Sequence, residues 1–264
     1  MRSLHYPYYI IIIMLINFSC SKEPIYNEPK VEKVKIAEKT LSSGEVLSIW
    51  AEGQLHTGYQ LIYFRLTDKN QIISHKKIDI NLLMDMGTMQ HSCPKGPVHY
   101  NSANQLYESY AVFTMASTME SKWILEIKLN NEQLFIPLDV KHKSNTFPSY
   151  QAFKAFNGDS YLLVLIDPLF PIMGFNSYSL MVFKQQNMHS YQVEKDLRIQ
   201  TTPYMLSMNH GSANNEDPIY VNNGFYKGKV NFTMTGDWRL NFVIQKENIV
   251  LSDKAYLDVT VLIK

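Results

Sequence analysis

Cysteine is scarce in this chain, with two residues in 264, which excludes a disulfide-stapled scaffold. Glycine and proline number 11 each, too few for collagen-like or proline-rich linker sequence. Charged residues make up 19% against 45% hydrophobic, so a disordered polyelectrolyte is excluded as well. A net charge of +1 without a basic stripe leaves no footprint for nucleic acid. Enzyme signatures are missing too: there is no Gly-x-Ser-x-Gly, no His-Glu-x-x-His, no phosphate loop and no dinucleotide fingerprint. Cys93 lies two residues from His91, but the other half of the chain carries Ser212 two residues after His210, so a thiol nucleophile is not a shared property. The sequence is therefore read as non-enzymatic.

The chain is rich in 17 Tyr, 13 Phe and 13 Met, and the aromatics favour strands. Its start reads as an address. Arg2 precedes the apolar run Tyr8–Ile16, which is too short to span a bilayer core of ~30 Å as a helix and fits the apolar region of a secretory leader. Ser19-Cys20-Ser21-Lys22-Glu23 resembles the cleavage site of bacterial lipoproteins. That resemblance implies a signal peptide over 1–19, acylation of Cys20 and a lipidated tether over 20–35. It also implies attachment to a membrane of the bacterial cell envelope, each buried acyl CH₂ contributing ~0.8 kcal/mol. Loss of Arg2 with the leader leaves acidic and basic residues in equal number.

The remainder repeats itself. A constant offset carries Tyr59 onto Tyr178, Met86 onto Met205, Met89 onto Met208, His91 onto His210, Tyr107 onto Tyr226 and Phe113 onto Phe232. After extra residues in the first copy, Trp123 falls on Trp238 and Leu125 on Leu240. Repeats of this length are domains, set at 36–145 and 152–264 with a polar joint over Lys141–Ser149. Period-2 alternation in Gln60–Leu66 and Tyr226–Met234 predicts strands. The fold class expected is all-β: two tandem immunoglobulin-like antiparallel β-sandwiches. Trp123 and Trp238 read as core anchors, Met115 and Met234 as core fillers, Tyr107 and Tyr226 as structural corner tyrosines. Of the non-repeating histidines, His99 is close enough in sequence to join His91, and His189 reads as a surface residue.

The repeated Met/His clusters are the candidates for chemistry: Met86, Met89 and His91, with Cys93 beside them, and Met205, Met208 and His210. Thioether and imidazole donors suit a soft cation such as Cu(I). Met-x-x-Met-x-His, then Tyr226, then an alternating strand ending in Met234, Gly236 and Trp238, resembles the YtkA-like domain, a relative of the FixH group. The segment Pro171–Asn176 fits that domain's start, whereas the first copy lacks the Gly before Trp123 and carries the insertion. The resemblance implies a small envelope β-sandwich linked with copper handling, and a copper-handling or other envelope protein as partner. The alternative is a non-catalytic structural or protein-binding sandwich with no metal, its Met and His side chains packed between loops.

Overall fold

The computed structural model describes residues 32–143 and 147–263. The leader and Cys20 lie outside the described residues. Every regular element described is a strand, and no helix among these residues is long and apolar enough to cross a membrane. The first ten strands are β1 (Val34–Thr40), β2 (Val46–Ala51), β3 (Gly58–Asp68), β4 (Gln71–Ile72), β5 (Ile78–Asp85), β6 (Gln90–Ser92), β7 (His99–Asn101), β8 (Leu106–Phe113), β9 (Lys122–Leu129) and β10 (Glu132–Leu138). The second ten are β11 (Tyr150–Lys154), β12 (Ser160–Asp167), β13 (Gly174–Asn187), β14 (Ser190–Val193), β15 (Arg198–Met205), β16 (His210–Gly211), β17 (Glu216–Asn222), β18 (Phe225–Phe232), β19 (Gly236–Lys246) and β20 (Ile249–Val261).

These strands build two tandem immunoglobulin-like antiparallel sandwiches. In the first, sheet I (β1-β2-β3-β8-β7, with β4 on β3) faces sheet II (β10-β9-β5-β6). In the second, sheet III (β11-β12-β13-β18-β17, with β14 on β13) faces sheet IV (β16-β15-β19-β20). Alternation does the sorting. Leu47, Ile49, Ile62 and Phe64 point into the first core with Trp123, Leu125 and Ile127 opposite. Leu163, Leu165, Leu180 and Val182 fill the second with Trp238, Leu240 and Phe242. Each core carries a corner tyrosine, as expected: the Tyr107 hydroxyl accepts from Lys76 N at 3.0 Å, and the Tyr226 hydroxyl accepts from Leu197 N at 3.0 Å.

The strand register corrects the constant offset. Phe64 pairs with Tyr107 and Leu180 with Tyr226, so the counterpart of Phe64 is Leu180 and not Phe183. Leu82 pairs with Leu125, and Met84 with both Trp123 and His91. In the second sandwich Pro203 pairs with Leu240 and Met205 with His210, which sets Met205 level with Trp238. Met205 therefore corresponds to Met84, not Met86. The second copy has a longer hairpin around β14, and the first has a longer turn between β5 and β6. The two length differences oppose each other only in part, so under the constant offset Tyr59 and Phe64 are matched out of register, whereas His91, Tyr107 and Phe113 are matched correctly.

A third apolar layer joins the sandwiches. Strands β12 and β13 bury both faces: Leu162, Val164, Met181 and Phe183 point away from their own core and pack with Val112 of β8. Tyr59 stacks on Tyr110 at 5.1 Å between ring centroids, and Phe225 meets Tyr59 edge-on at 6.4 Å. Tyr150 adds a hydrogen bond across the seam, its hydroxyl donating to Thr114 O at 2.8 Å. Gly96 makes room, since a Cβ there would lie 2.5 Å from the Tyr110 ring. Residues 32–264 accordingly form one compact unit.

Full burial of one Val, Leu, Met or Phe side chain contributes ~1.5–3 kcal/mol. Phe183→Ala is therefore expected to cost ~3–5 kcal/mol, read by urea denaturation. The second sandwich expressed alone should melt well below the intact chain. Equal melting temperatures would mean the seam adds nothing. Tyr107→Phe should cost ~1 kcal/mol in the same assay, through loss of one buried hydroxyl bond, and Tyr226→Phe more, because its hydroxyl also donates to Glu194 O at 3.3 Å.

Candidate functional site

Both Met/His clusters sit where a hairpin of sheet II or IV reaches one end of its sandwich. In the second, Met205 at the end of β15 pairs with His210 at the start of β16, and Met208 N donates to Met205 O across the turn at 3.3 Å. The His210 ring stands edge-on to the Trp238 indole at 5.4 Å, and Phe232 packs on the same indole at 5.5 Å. Met205 is buried in the core, where its Cε would lie 3.0 Å from a Cβ on Gly236. Gly236 also holds φ at +109°, a backbone conformation that L side chains rarely adopt. Met208 is 57% exposed. The hairpin thus brings Met205 and His210 side by side, while Met208 stands out in the turn.

The first cluster follows the same plan with different residues. His91 stands edge-on to Trp123 at 6.3 Å, and Phe113 packs on that indole at 5.1 Å. The buried methionine beside them is Met84, which the sequence reading passed over. Met86 and Met89 instead form an exposed turn, with Met86 N donating to Met89 O at 3.0 Å. The repeated unit is therefore a buried Met, a His and a Phe around one Trp. Its indole N–H donates to a backbone carbonyl in each copy: Trp123 to Met115 O at 2.9 Å, and Trp238 to Met234 O at 3.0 Å. The acceptor is a backbone carbonyl, which any residue supplies, so the bond ties down the chain before each Trp without requiring a Met side chain there. The Met115 side chain packs against the core, but Met234 lies in a turn and is exposed, contrary to its reading as a core filler.

Two further expectations are corrected. Cys93 is a core residue: it is buried with Leu82 and Trp123, and burial pushes its thiol up to about 12. A desolvated, protonated thiol is a poor soft-metal ligand. His99 lies on β7, at the edge of sheet I, 3.7 Å from Glu108, and does not join His91 on sheet II. Among the described residues no group of three or more His, Cys, Asp or Glu side chains is placed to hold a metal.

The end of the second sandwich that carries Met208 also gathers exposed apolar side chains. Met173 N donates to Leu262 O at 3.0 Å, and Gly174 pairs with Phe232, so the loop into β13, the end of β18 and the end of β20 meet there. Phe170, Met173, Phe175, Leu206, Met234 and Ile263 are all exposed at this end. The Lys143 ammonium sits over the Phe170 ring at 4.7 Å, beside a small cleft of about 120 Å³ that Phe147 and Leu262 help to line. Burial lowers the Lys143 pKa.

No protein-family model matches the chain, and no curated protein does. The YtkA-like resemblance thus rests on the motif residues alone. Solved structures give distant likenesses. FdeC, a broadly conserved Escherichia coli adhesin, is 12% identical at a TM-score of 0.28, over 86% of this chain and 66% of that one. InvD of Yersinia pseudotuberculosis is 14% identical at 0.26, over 80% of this chain and 55% of that one. The titin domains Z1Z2, solved in complex with telethonin, are 9% identical at 0.21, over 80% and 90%. The chain spans less than two thirds of the first two of these proteins. Likenesses at such scores carry nothing about binding, and the fold assignment rests on the sheet order and the two cores.

Burial raises the Cys93 pKa and so keeps the thiol protonated and out of reach of solvent at pH 8. In the fragment 21–264, where Cys93 is the single cysteine, iodoacetamide at pH 8 should label the protein only after denaturant is added. Rapid labelling of the native protein, read by intact mass, would place the thiol at the surface instead.

Proposed function

We propose that this chain is a non-catalytic binding module held at a bacterial envelope membrane through Cys20, and that it contacts a protein partner through the loop end of its second sandwich. The observation that carries the reading is the group of exposed apolar side chains at that end, with Phe175 63% and Ile263 80% exposed. Contiguous apolar surface of this kind marks interaction sites on soluble domains. Aromatic and Met side chains, which are enriched at interfaces, dominate it. The leader and the Ser19-Cys20 junction support the anchor. Immunoglobulin-like sandwiches commonly present binding loops at one end of a rigid frame.

A photo-crosslinking residue placed at Phe175 in intact cells tests the contact. It should give a discrete adduct that Phe170→Ser with Leu262→Ser removes. The same residue at Phe156, exposed in the turn at the opposite end, should give none. Identical patterns from both positions would remove the reading. Cys20→Ala should release the protein from the membrane fraction, and unchanged retention with unchanged mass would remove the anchor.

A second reading, Cu(I) holding for copper handling, is favoured by Met205 standing opposite His210 with Met208 in the intervening turn. In that reading these three residues would supply two thioethers and an imidazole to a soft ion. The Met205→Leu, Met208→Leu, His210→Ala variant should then bind Cu(I) more weakly than the parent while staying folded. Parent-like affinity would leave the hairpin a purely structural unit.

A further inference from the structure

The seam between the sandwiches brings together soft donors that neither repeat holds alone. The tip of the β13–β14 hairpin, at the far end of the second sandwich, reaches the free edge of β6 in the first. There Ser92 N donates to Met188 O at 3.0 Å. The bond sets the dipeptide Met188-His189 against His91, the residue before Ser92. The two imidazoles are near enough for His189 to act on His91, whose pKa is lowered first by burial and then by the charge of His189. Met89 precedes His91 by two residues and leaves the same turn.

Core packing does not explain this composition. Met188 is 47% exposed and Met89 52%, at turns where charged or small polar residues would serve. His189 is exposed, and its backbone N–H is satisfied by Asn187 Oδ1 at 2.8 Å, so the turn is held without its ring. Among the described residues, no acidic side chain is hydrogen-bonded to or ion-paired with either imidazole. Two thioethers and two imidazoles match a soft monovalent cation in softness and coordination number, and do not suit Mg or Ca.

We propose that His91, His189, Met188 and Met89 form a site for a soft monovalent cation, Cu(I) or its redox-inert analogue Ag(I), clamped between the two sandwiches. The ion would be held by one residue pair from each sandwich, so binding would tighten the seam. The site shares no residue with Met205, Met208 and His210, and each can fail without the other.

Ag(I) titrated into the chain 21–264 is the probe, read by calorimetry and by the histidine side-chain NMR signals. The expected result is saturation in which the His91 and His189 ring signals move together. The melting temperature should rise as ligand binds the folded state alone. His189→Gln with Met188→Leu, both at an exposed tip, should weaken this event at least tenfold and leave the metal-free melting temperature unchanged. His210→Ala should leave it intact. The proposal is overturned if the tip variant binds as the parent does, if the His91 and His189 signals stay in place at saturation, or if His210→Ala removes the same event.

Discussion

Burial of β12 and β13 on both faces is the constraint on which the rest of this molecule depends. A strand in a free sandwich alternates, with one face in the core and the other in water. Here Tyr161 to Leu165 and Leu180 to Phe183 are apolar without interruption, and odd and even positions serve different layers. Leu163 and Val182 belong to the second core, while Leu162, Val164, Met181 and Phe183 belong to the seam. Removing the first sandwich would put the latter four in water. The order of the two repeats is thereby coupled to their packing, and the loops of each are carried on one frame.

The frame in turn decides what each Met/His cluster can be. The second sandwich keeps its cluster end open, with Phe175, Met208 and Ile263 facing water. The first has its counterpart end approached by the β13–β14 hairpin, with Met188 O on Ser92 N. Two copies of one local design therefore meet different surroundings, one solvent and one a neighbouring hairpin. A common internal plan, the buried Met and edge-on His around Trp123 or Trp238, is compatible with either.

Much of this was legible in the sequence. Alternation marked the strands, and Trp123 with Trp238, Tyr107 with Tyr226 and Phe113 with Phe232 announced the duplication correctly. Side-chain identity is a poor guide to register, however, because a slip along a strand is visible only in the pairing. Met86 and Met205 share a residue type and an offset, yet Met84 holds the structural place of Met205 because the β5–β6 turn is longer. The seam was harder to read. Its signal was the unbroken run Tyr161-Leu162-Leu163-Val164-Leu165, but such a run also fits an ordinary buried strand. His189 carried no local sign at all, since its neighbour His91 is distant along the chain and only packing unites them.

Taken together, the residues with most to do are those whose place packing does not explain. Cys93, Met84 and Met205 have ample structural reason to be where they are, surrounded by core side chains. A Leu at Met84 would fill a similar volume, and volume-conserving swaps of this kind usually cost less than ~1.5 kcal/mol. Met188, Met89 and the apolar side chains around Phe175 have no such reason, because they face water and contribute little to folding. Exposed apolar and thioether side chains gain their free energy only when something covers or ligates them. The two places where this surplus concentrates, the seam edge and the open loop end, are for that reason the two places where a ligand or partner would gain most by binding.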